Sequence, residues 1–245
     1  ATSREAWNYD GRGRLIGESK FITSTGTFST TWLYDSMDRV VWQKYPKGNG
    51  GLAGEQVNYT YNASGLLATV VGANTYVSGT DYNALGQVMT RTLTSGANGL
   101  KQLYSYPQDK NYRLGTLKSG TTTTNNNLQN ITYTYDNVGN VLTIQDAAAV
   151  GGLQTQTFTY DPLDRVVTAV AIGGGTTYGE YAQKTYGYAN NGNLTAFEGV
   201  AQEYTDAAHP HAVTKLGGTQ KYWYDGNGNA TKRIASDGTY EFVYD

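Results

Sequence analysis

One short motif returns along this chain and constrains its fold more than any other feature. It consists of a Tyr, usually Asp or Asn, two variable residues, Gly or Asp, a usually polar residue and an aliphatic residue, as in residues 34–40. Recurrence at intervals of about 20–50 residues is typical of repeat proteins, whose units stack on their neighbours. Copies begin at Tyr9, Tyr34, Tyr61, Tyr82, Tyr135, Tyr160, Tyr188 and Tyr224.

The intervals between copies predict the domain organisation. Counted to Tyr244, where another copy begins, the successive tyrosines are 25, 27, 21, 53, 25, 28, 36 and 20 residues apart. The interval of 53 predicts one degenerate copy, and residues 106–114 are the candidate. We therefore expect residues 1–245 to form a single array of about nine hairpin units, and we expect this array to be a fragment of a longer protein.

The motif predicts a β-hairpin turn. Asp or Asn at the first turn position accepts hydrogen bonds from the backbone ahead of it, and the residue three positions later adopts a positive φ, which produces a hairpin with a bulge. Asp38 and Asp164 replace Gly at that place, and Asp tolerates the left-handed region better than most residues. The glycines assigned to it are Gly13, Gly65, Gly86, Gly139, Gly192 and Gly228.

The turn also predicts the register of each hairpin. Each Tyr should face the aliphatic residue six positions on, and Asp10 should lie opposite Arg14. Such cross-strand pairs contribute about 0.2–1 kcal/mol each. The same register, extended outwards, places Trp32 opposite Trp42. Alternation of residues before the turns predicts one apolar, aromatic face and one polar face.

Composition supports an all-β fold and excludes several function classes. The chain has 31 Gly, 22 Tyr and only 16% charged residues, a usage that favours strands and turns. The fold class predicted is therefore tandem β-hairpins in an extended, twisted, spiralling antiparallel sheet. A net charge of −2 argues against nucleic acid as a partner, and no apolar run is long enough for a membrane span. Gly48 to Gly51 and Gly173 to Gly175 are expected to be loops between hairpins.

The repeats resemble a known family. Residues 34–40 and 160–166 look like Rhs or YD repeats, and the segment around His209 and His211 resembles a phrase common in bacterial members. The resemblance implies a spiral sheet that closes as a hollow shell around a C-terminal toxic domain, as in bacterial toxin complexes and polymorphic toxins, or a shell used in adhesion, as in teneurins. It implies a secreted or cell-surface associated bacterial protein, whose partners are the rest of the shell and an enclosed polypeptide cargo. The self-cleaving core of the family has no match here.

The side chains that could carry chemistry are few. His209 and His211 would share a face of a strand, as a metal site requires, but Pro210 favours a loop and no further ligands lie nearby in the sequence. No Gly-x-Ser-x-Gly elbow accompanies the two histidines, and the scattered carboxylates show no pairing. We therefore predict no catalytic, metal or cofactor site, and a protein that is not an enzyme.

Two functions remain open from the sequence. The first is a structural wall segment of an Rhs/YD-repeat shell that encapsulates a toxin or effector. The second is a cell-surface carbohydrate-binding or adhesion module, in which exposed aromatic rings stack on glycans. The residues considered for ligand stacking are Trp7, Trp32, Trp42 and Trp223.

Overall fold

The computed structural model describes residues 3–23, 25–47, 54–93, 99–121, 124, 126–175 and 179–244. These residues fall into two compact units, Ala1–Ile131 and Thr132–Asp245. The expected loop at Gly48–Gly51 lies outside the described residues. Apart from one turn of 3-10 helix at Gln108–Lys110, the described residues form strands and their connections.

The first unit consists of short strands in chain order. Those of its first sheet are β1 Ser3–Tyr9, β2 Leu15–Ile22, β3 Gly26–Tyr34, β4 Val40–Lys44, β5 Gln56–Tyr61, β6 Leu67–Val71 and β7 Thr75–Val77. These are followed by β8 Gly79–Tyr82, β9 Val88–Thr92, β10 Leu100–Ser105 and β11 Thr116–Thr121. Each strand pairs with the next within β1 to β7 and within β8 to β11, whereas β7 and β8 belong to different sheets.

The second unit has the same organisation, and β12 contains the boundary between the units. Its longer sheet contains β12 Gln129–Tyr135, β13 Val141–Asp146, β14 Gln154–Tyr160, β15 Val166–Ile172, β16 Tyr181–Tyr188, β17 Leu194–Phe197, β18 Val200–Glu203, β19 Lys215–Leu216 and β20 Thr219–Gln220. A separate three-stranded sheet follows, made of β21 Tyr222–Tyr224, β22 Ala230–Ala235 and β23 Gly238–Glu241. The predicted all-β class of antiparallel hairpins is confirmed.

The hairpin register near the turns is the predicted one, but it shifts beyond the first pair. Tyr34 lies opposite Val40, as expected, and a bulge follows between Leu33 and Tyr34. A bulge places two residues of one strand opposite one residue of the other. The prediction that Trp32 faces Trp42 is therefore wrong: Leu33 pairs with Trp42, and Trp32 pairs with Gln43.

Each sheet has two chemically different faces, because successive side chains of a strand point to opposite sides. One face carries the tyrosines and their aliphatic partners, such as Tyr61 and Leu67. The opposite face carries pairs of hydroxyl groups, such as Thr60 and Thr69, whose Oγ1 atoms are 2.6 Å apart. The same pairing recurs at 2.6 Å in Thr134–Thr143 and in Thr159–Thr168.

Few side chains are buried in this arrangement. The buried apolar residues among those described are Val57, Ala169 and Ala171, and all three lie on the aromatic face. With so small a core, contacts between successive hairpins must supply much of the stability. The geometry of those contacts is therefore the feature that matters most for function.

Candidate functional site

The turn of each repeat is built around its Asp or Asn. In the copy at Tyr34, Oδ1 of Asp35 accepts hydrogen bonds from the backbone N–H groups of Met37 at 2.9 Å and Arg39 at 3.0 Å. The backbone N–H of Asp35 donates to the Arg39 carbonyl at 2.9 Å, which closes the hairpin. Equivalent pairs of bonds to Oδ1 occur at Asp10, Asn62, Asn83, Asp136, Asp161 and Asp225.

The fifth residue of the motif has a positive φ. Asp38 and Asp164 have φ values of 62° and 59°. A β-carbon is poorly tolerated in this region, which is why the sequence has Gly or Asp there. The glycines have φ values of 79° at Gly13, 80° at Gly65, 77° at Gly86, 111° at Gly139, 91° at Gly192 and 84° at Gly228.

Within each unit, successive repeats are hydrogen-bonded to one another through the tyrosine hydroxyl. Tyr34 donates to the backbone carbonyl of Leu15, the aliphatic residue that ends the preceding motif, at 2.8 Å. We call this row of bonds the tyrosine ladder. Its other members are Tyr61 to Val40 at 2.8 Å, Tyr82 to Leu67 at 2.7 Å, Tyr160 to Val141 at 2.7 Å, Tyr188 to Val166 at 2.9 Å, Tyr224 to Val213 at 2.8 Å and Tyr244 to Ala230 at 3.0 Å.

The structure describes other contacts for two of the predicted tyrosines. Tyr9 belongs to the first copy, pairs with Leu15 across its own hairpin and is 60% exposed. Tyr135 stacks on Tyr133, with ring centroids 6.5 Å apart. The sequence motif predicted the pairing within a hairpin but not the bonds between hairpins, because no residue-type pattern marks a carbonyl acceptor.

The sixth residue of the motif adds a second link between repeats. The Arg39 guanidinium forms a salt bridge with Asp35 of its own turn at 2.7 Å, and its Cζ lies 4.4 Å from the ring centroid of Tyr61 in the next copy. A guanidinium over an aromatic ring contributes about 0.5–1 kcal/mol at exposed sites. Arg14 over Tyr34 and Arg165 over Tyr188 repeat the arrangement, at 4.9 Å and 4.5 Å.

Turns also contact one another directly. Arg14 donates from Nη1 to the Asp35 carbonyl at 3.0 Å and forms a salt bridge with Asp38 at 2.6 Å. Asn140 holds the corresponding place in its copy and donates to Oδ1 of Asp164 at 2.7 Å. In these copies the sixth residue therefore joins its turn to the following one, whether it is charged or an amide.

These contacts shift the pKa values of the turn carboxylates. The side-chain hydrogen bond from Arg39 lowers the pKa of Asp35, and the bond from Arg165 lowers the pKa of Asp161. In Asp225, the side-chain hydrogen bond from Asn229 has the same effect on the pKa. Each carboxylate is stabilised in its charged form because it accepts several hydrogen bonds at once.

The repeat that begins at Tyr204 was not predicted from the sequence. Tyr204 donates its hydroxyl to the Leu194 carbonyl at 3.1 Å, and Tyr224 donates to Val213 at 2.8 Å, so residues 204–213 hold the place of a motif copy. The interval of 36 between Tyr188 and Tyr224 was the available signal. It is long enough to contain a further copy, just as the interval of 53 is.

The extra repeat contains both histidines, and both form hydrogen bonds with turn residues. Nδ1 of His209 lies 2.9 Å from Oδ2 of Asp206, and this hydrogen bond raises the pKa of His209. Nδ1 of His211 lies 2.7 Å from Oδ1 of Asn193 in the preceding turn. Among the described residues, no group of three or more His, Cys, Asp or Glu side chains is placed to hold a metal ion.

The degenerate copy at residues 106–114 connects two strands of a hairpin, as expected, but its turn is of a different kind. It contains the 3-10 turn and two residues with positive φ, Asn111 and Tyr112. Gln87, the sixth residue of the preceding motif, donates from Nε2 to the Tyr112 carbonyl at 3.0 Å. The segment therefore occupies the position of a repeat turn in the row without its sequence.

The three tryptophans of the first unit do not share one face of their sheet. Trp7 is about half exposed on the edge strand β1, and the Lys232 ammonium lies 5.2 Å from the ring centroid of Trp223 in the other unit. Trp32 and Trp42 lie on opposite faces of their sheet, since Trp42 pairs with Leu33. No helix in the described part of the chain is long and apolar enough to cross a membrane.

The fold and the tyrosine ladder together define a tandem β-hairpin repeat protein. Solved structures with this fold include TcdB2-TccC3, which is 18% identical, with a TM-score of 0.67 over 91% of this chain. A second is TcdB2-TccC3 without its hypervariable C-terminal region, at 17% identity and a TM-score of 0.66 over 92% of this chain. A third is the Photorhabdus luminescens Tc holotoxin pore, at 18% identity and a TM-score of 0.66 over 91% of this chain.

The extent of these matches bounds what they establish. The chain spans 14% of the length of each of these solved chains. No family model matches the sequence, and the comparison with curated proteins finds no match. The resemblance of the repeats to Rhs and YD repeats is thus confirmed at the level of the fold.

Proposed function

We propose that this chain is a wall segment of an Rhs/YD-repeat shell, and that the shell encloses a polypeptide cargo. The observation that supports this function most strongly is the tyrosine ladder, which joins successive hairpins within each unit through a side-chain hydrogen bond of 2.7–3.1 Å. Such bonds use the repeating residues themselves. The tyrosine of the motif, the most regular feature of the chain, therefore serves to hold successive hairpins together.

A wall of this kind acts by exclusion. Successive backbones in a sheet are about 4.7–4.9 Å apart and joined by hydrogen bonds, so a folded protease cannot pass between them. The fold shared with TcdB2-TccC3 supports this role, because the matching region is part of a toxin complex. In this proposal the protein is a non-enzymatic component of a bacterial secreted or surface-associated assembly, and the remainder of the shell is its main partner.

The test uses the longer protein that carries this segment. A cleavage site for a specific protease is inserted either in the polypeptide that follows the repeats or, as a control, in the exposed loop at residues 150–153. Under the wall proposal, the loop site is cut rapidly and the other site is cut only after denaturation. Equal rates of cleavage at both sites in the native protein would contradict encapsulation.

The carbohydrate-binding alternative has a separate test. If exposed aromatic rings stack on sugars, the isolated chain should bind glycans saturably, and Trp7→Ala should abolish the binding. Stacking on an aromatic ring is a major part of sugar affinity, so a true platform would not survive this change. We expect no saturable binding, because Trp32 and Trp42 lie on opposite faces of their sheet.

A further inference from the structure

In one copy of the first unit, a polar residue takes the place of a ring on the aromatic face. Two residues before the motif tyrosine, most copies carry a second aromatic ring on that face: Trp7, Trp32, Tyr59, Tyr133, Phe158, Tyr186 and Tyr222. In the copy at Tyr82, that position is Thr80, and the residue opposite it is Arg91. Packing between hairpins, which explains the rings in the other copies, does not explain a polar residue at this position.

The interruption continues across the sheet as a polar row. Arg91 on β9 pairs with Gln102 on β10, and Gln102 pairs with Ser119 on β11. Residues paired across antiparallel strands point to the same face. Thr80 and Ser119 are 8% and 9% exposed, so polar groups are buried along this row. The copies at Tyr61 and Tyr160 carry apolar pairs at the position of Thr80 and Arg91, namely Tyr59 with Val70 and Phe158 with Ala169.

The cation in this row has no anionic partner. Nε of Arg91 and Oγ1 of Thr80 are buried without a hydrogen-bond partner within the described residues. None of the ion pairs formed among those residues includes Arg91, whereas Arg39 and Arg165 each form a salt bridge with the aspartate of their own turn. A buried donor without a partner destabilises a fold, so the row is not explained by stability.

An apolar pocket lies beside the polar row. Its volume is about 420 Å³, which falls within the usual range for ligand pockets. Its lining includes Leu85, Met89, Tyr106 and Tyr112, and Leu85 and Tyr112 are 63% and 44% exposed. The pocket occurs where the degenerate turn replaces a regular repeat, so both departures from the pattern fall in the same stretch of chain.

The pocket and the arginine are two residues apart on one strand. Met89 and Arg91 both belong to β9 and therefore lie on the same face, about 7 Å apart along the strand. Side chains i and i+2 of an extended peptide also point to one side with a separation of about 7 Å. The spacing of the two features thus matches an extended polypeptide rather than a compact ligand.

We propose that this surface, formed by Thr80, Arg91, Gln102 and the pocket at Leu85 and Met89, binds an extended polypeptide segment. The segment has an apolar side chain in the pocket and, two residues away, an Asp or Glu carboxylate that pairs with Arg91. The amide of Gln102 and the hydroxyl of Thr80 flank that carboxylate with groups that donate hydrogen bonds. This binding activity goes beyond the wall role and does not require encapsulation.

The test measures binding of labelled peptides to the full chain by fluorescence polarisation. The probe contains Leu-Thr-Glu, and the control peptides contain Leu-Thr-Gln or Leu-Thr-Thr-Glu, which places the carboxylate on the other side of an extended backbone. The expected result is saturable binding of the first peptide, weakened about tenfold or more by each change, since hydrogen bonds between charged groups are the strong ones.

Variants locate the binding surface on the protein. Arg91→Met removes the charge and Leu85→Ala shortens the pocket wall, and each should weaken binding of the first peptide about tenfold. Leu163→Ala is the matched control, because Leu163 holds the same turn position as Leu85 and is 68% exposed. It should leave binding unchanged. Far-ultraviolet circular dichroism checks that every variant keeps the wild-type content of strand.

Three results would overturn the proposal. The first is no saturable binding of the Leu-Thr-Glu peptide to the wild-type chain. The second is binding that persists at wild-type strength in a folded Arg91→Met variant. The third is a pair of observations: a heparin fragment, which is an anionic oligosaccharide, competes with the peptide, and the peptide binds equally well whatever the spacing between its Leu and its Glu. That result would identify a polysaccharide-binding surface instead. None of these outcomes bears on whether the longer protein protects an enclosed polypeptide.

Discussion

The tyrosine ladder makes a quantitative prediction about stability. In the second unit, the Tyr160 hydroxyl donates to the Val141 carbonyl at 2.7 Å, and the ring of Tyr160 faces Val166 across its own hairpin. Tyr160→Phe removes only the hydroxyl and keeps the ring. The hydroxyl is partly buried, so water replaces the lost bond incompletely. We expect a loss of about 1 kcal/mol, the usual net value of an intramolecular hydrogen bond.

The first repeat provides the control. Tyr9 occupies the same motif position and pairs with Leu15, but it is 60% exposed, and no hydrogen bond of its hydroxyl occurs within the described residues. Tyr9→Phe should therefore change stability by less than about 0.5 kcal/mol, as most surface substitutions do. The comparison of the two variants isolates the bond between repeats from any general effect of replacing Tyr by Phe.

The assay is thermal unfolding followed by circular dichroism, with urea unfolding as a second measure. A loss of about 1 kcal/mol lowers the Tm of a chain of this length by about 2–4 °C. Tyr61→Phe, which removes the bond to Val40, should behave like Tyr160→Phe. If Tyr160→Phe and Tyr9→Phe lower the Tm by the same small amount, the ladder is not what joins the hairpins.

Three further predictions concern the turns. Gly192 has a φ of 91° with open space around it, so Gly192→Ala should lower the free energy of unfolding by about 1–2 kcal/mol from backbone strain alone. Gly226→Ala is the control, because this turn glycine has an ordinary φ, and it should lower the free energy much less. Urea unfolding measures both. Arginine hydrogen bonds lower the pKa of Asp35 and of Asp161. The stabilisation that these carboxylates give the fold is therefore complete above the ordinary pKa near 3.8 and is lost as pH falls below it. Asp161→Asn should flatten the decline of Tm between about pH 5 and pH 2. The raised pKa of His209 means that its stabilisation is complete below about pH 6.5 and is lost as pH rises through the folded value, and His209→Gln should remove that part of the pH profile.

The fold class and the turns were predictable because they depend on local chemistry. A positive φ selects Gly or Asp, and a hairpin turn selects Asp or Asn at its first position, so both leave a mark in the sequence. The pairing of Tyr34 with Val40 followed from the turn alone. These features are repeated several times, which makes the pattern visible without any knowledge of tertiary structure.

The contacts that join repeats were not predictable in the same way. The Tyr61 hydroxyl bonds to a backbone carbonyl, and every residue type has one. The Trp32–Trp42 pair failed for a related reason: the bulge shifts the register by one residue, and its effect extends along the strand. The repeat at Tyr204 was missed because its turn, which contains Pro210, is longer than the motif.

The polar row at Arg91 shows a different limit of sequence reasoning. Thr80 and Arg91 are ordinary residues in a strand that alternates, and each alone would be read as part of the polar face. Only the register between β8 and β9 shows that they share the aromatic face and lie opposite each other. Departures from a repeat become informative once the structure assigns each position to a face.

The ladder has a consequence for how such an array can vary in length. All of its bonds lie beside the motif turns, where the geometry is nearly constant from copy to copy. The intervals between copies that follow one another directly range from 16 residues, between Tyr188 and Tyr204, to 28 residues. The variation is taken up at the opposite margin, in connections such as those between β13 and β14 and between β15 and β16. The side of the sheet with the motif turns is therefore constant in structure, and the opposite side varies in length. Hairpins of different lengths can form the same row of tyrosine hydrogen bonds. A foreign loop inserted on the opposite side should leave the tyrosine ladder intact.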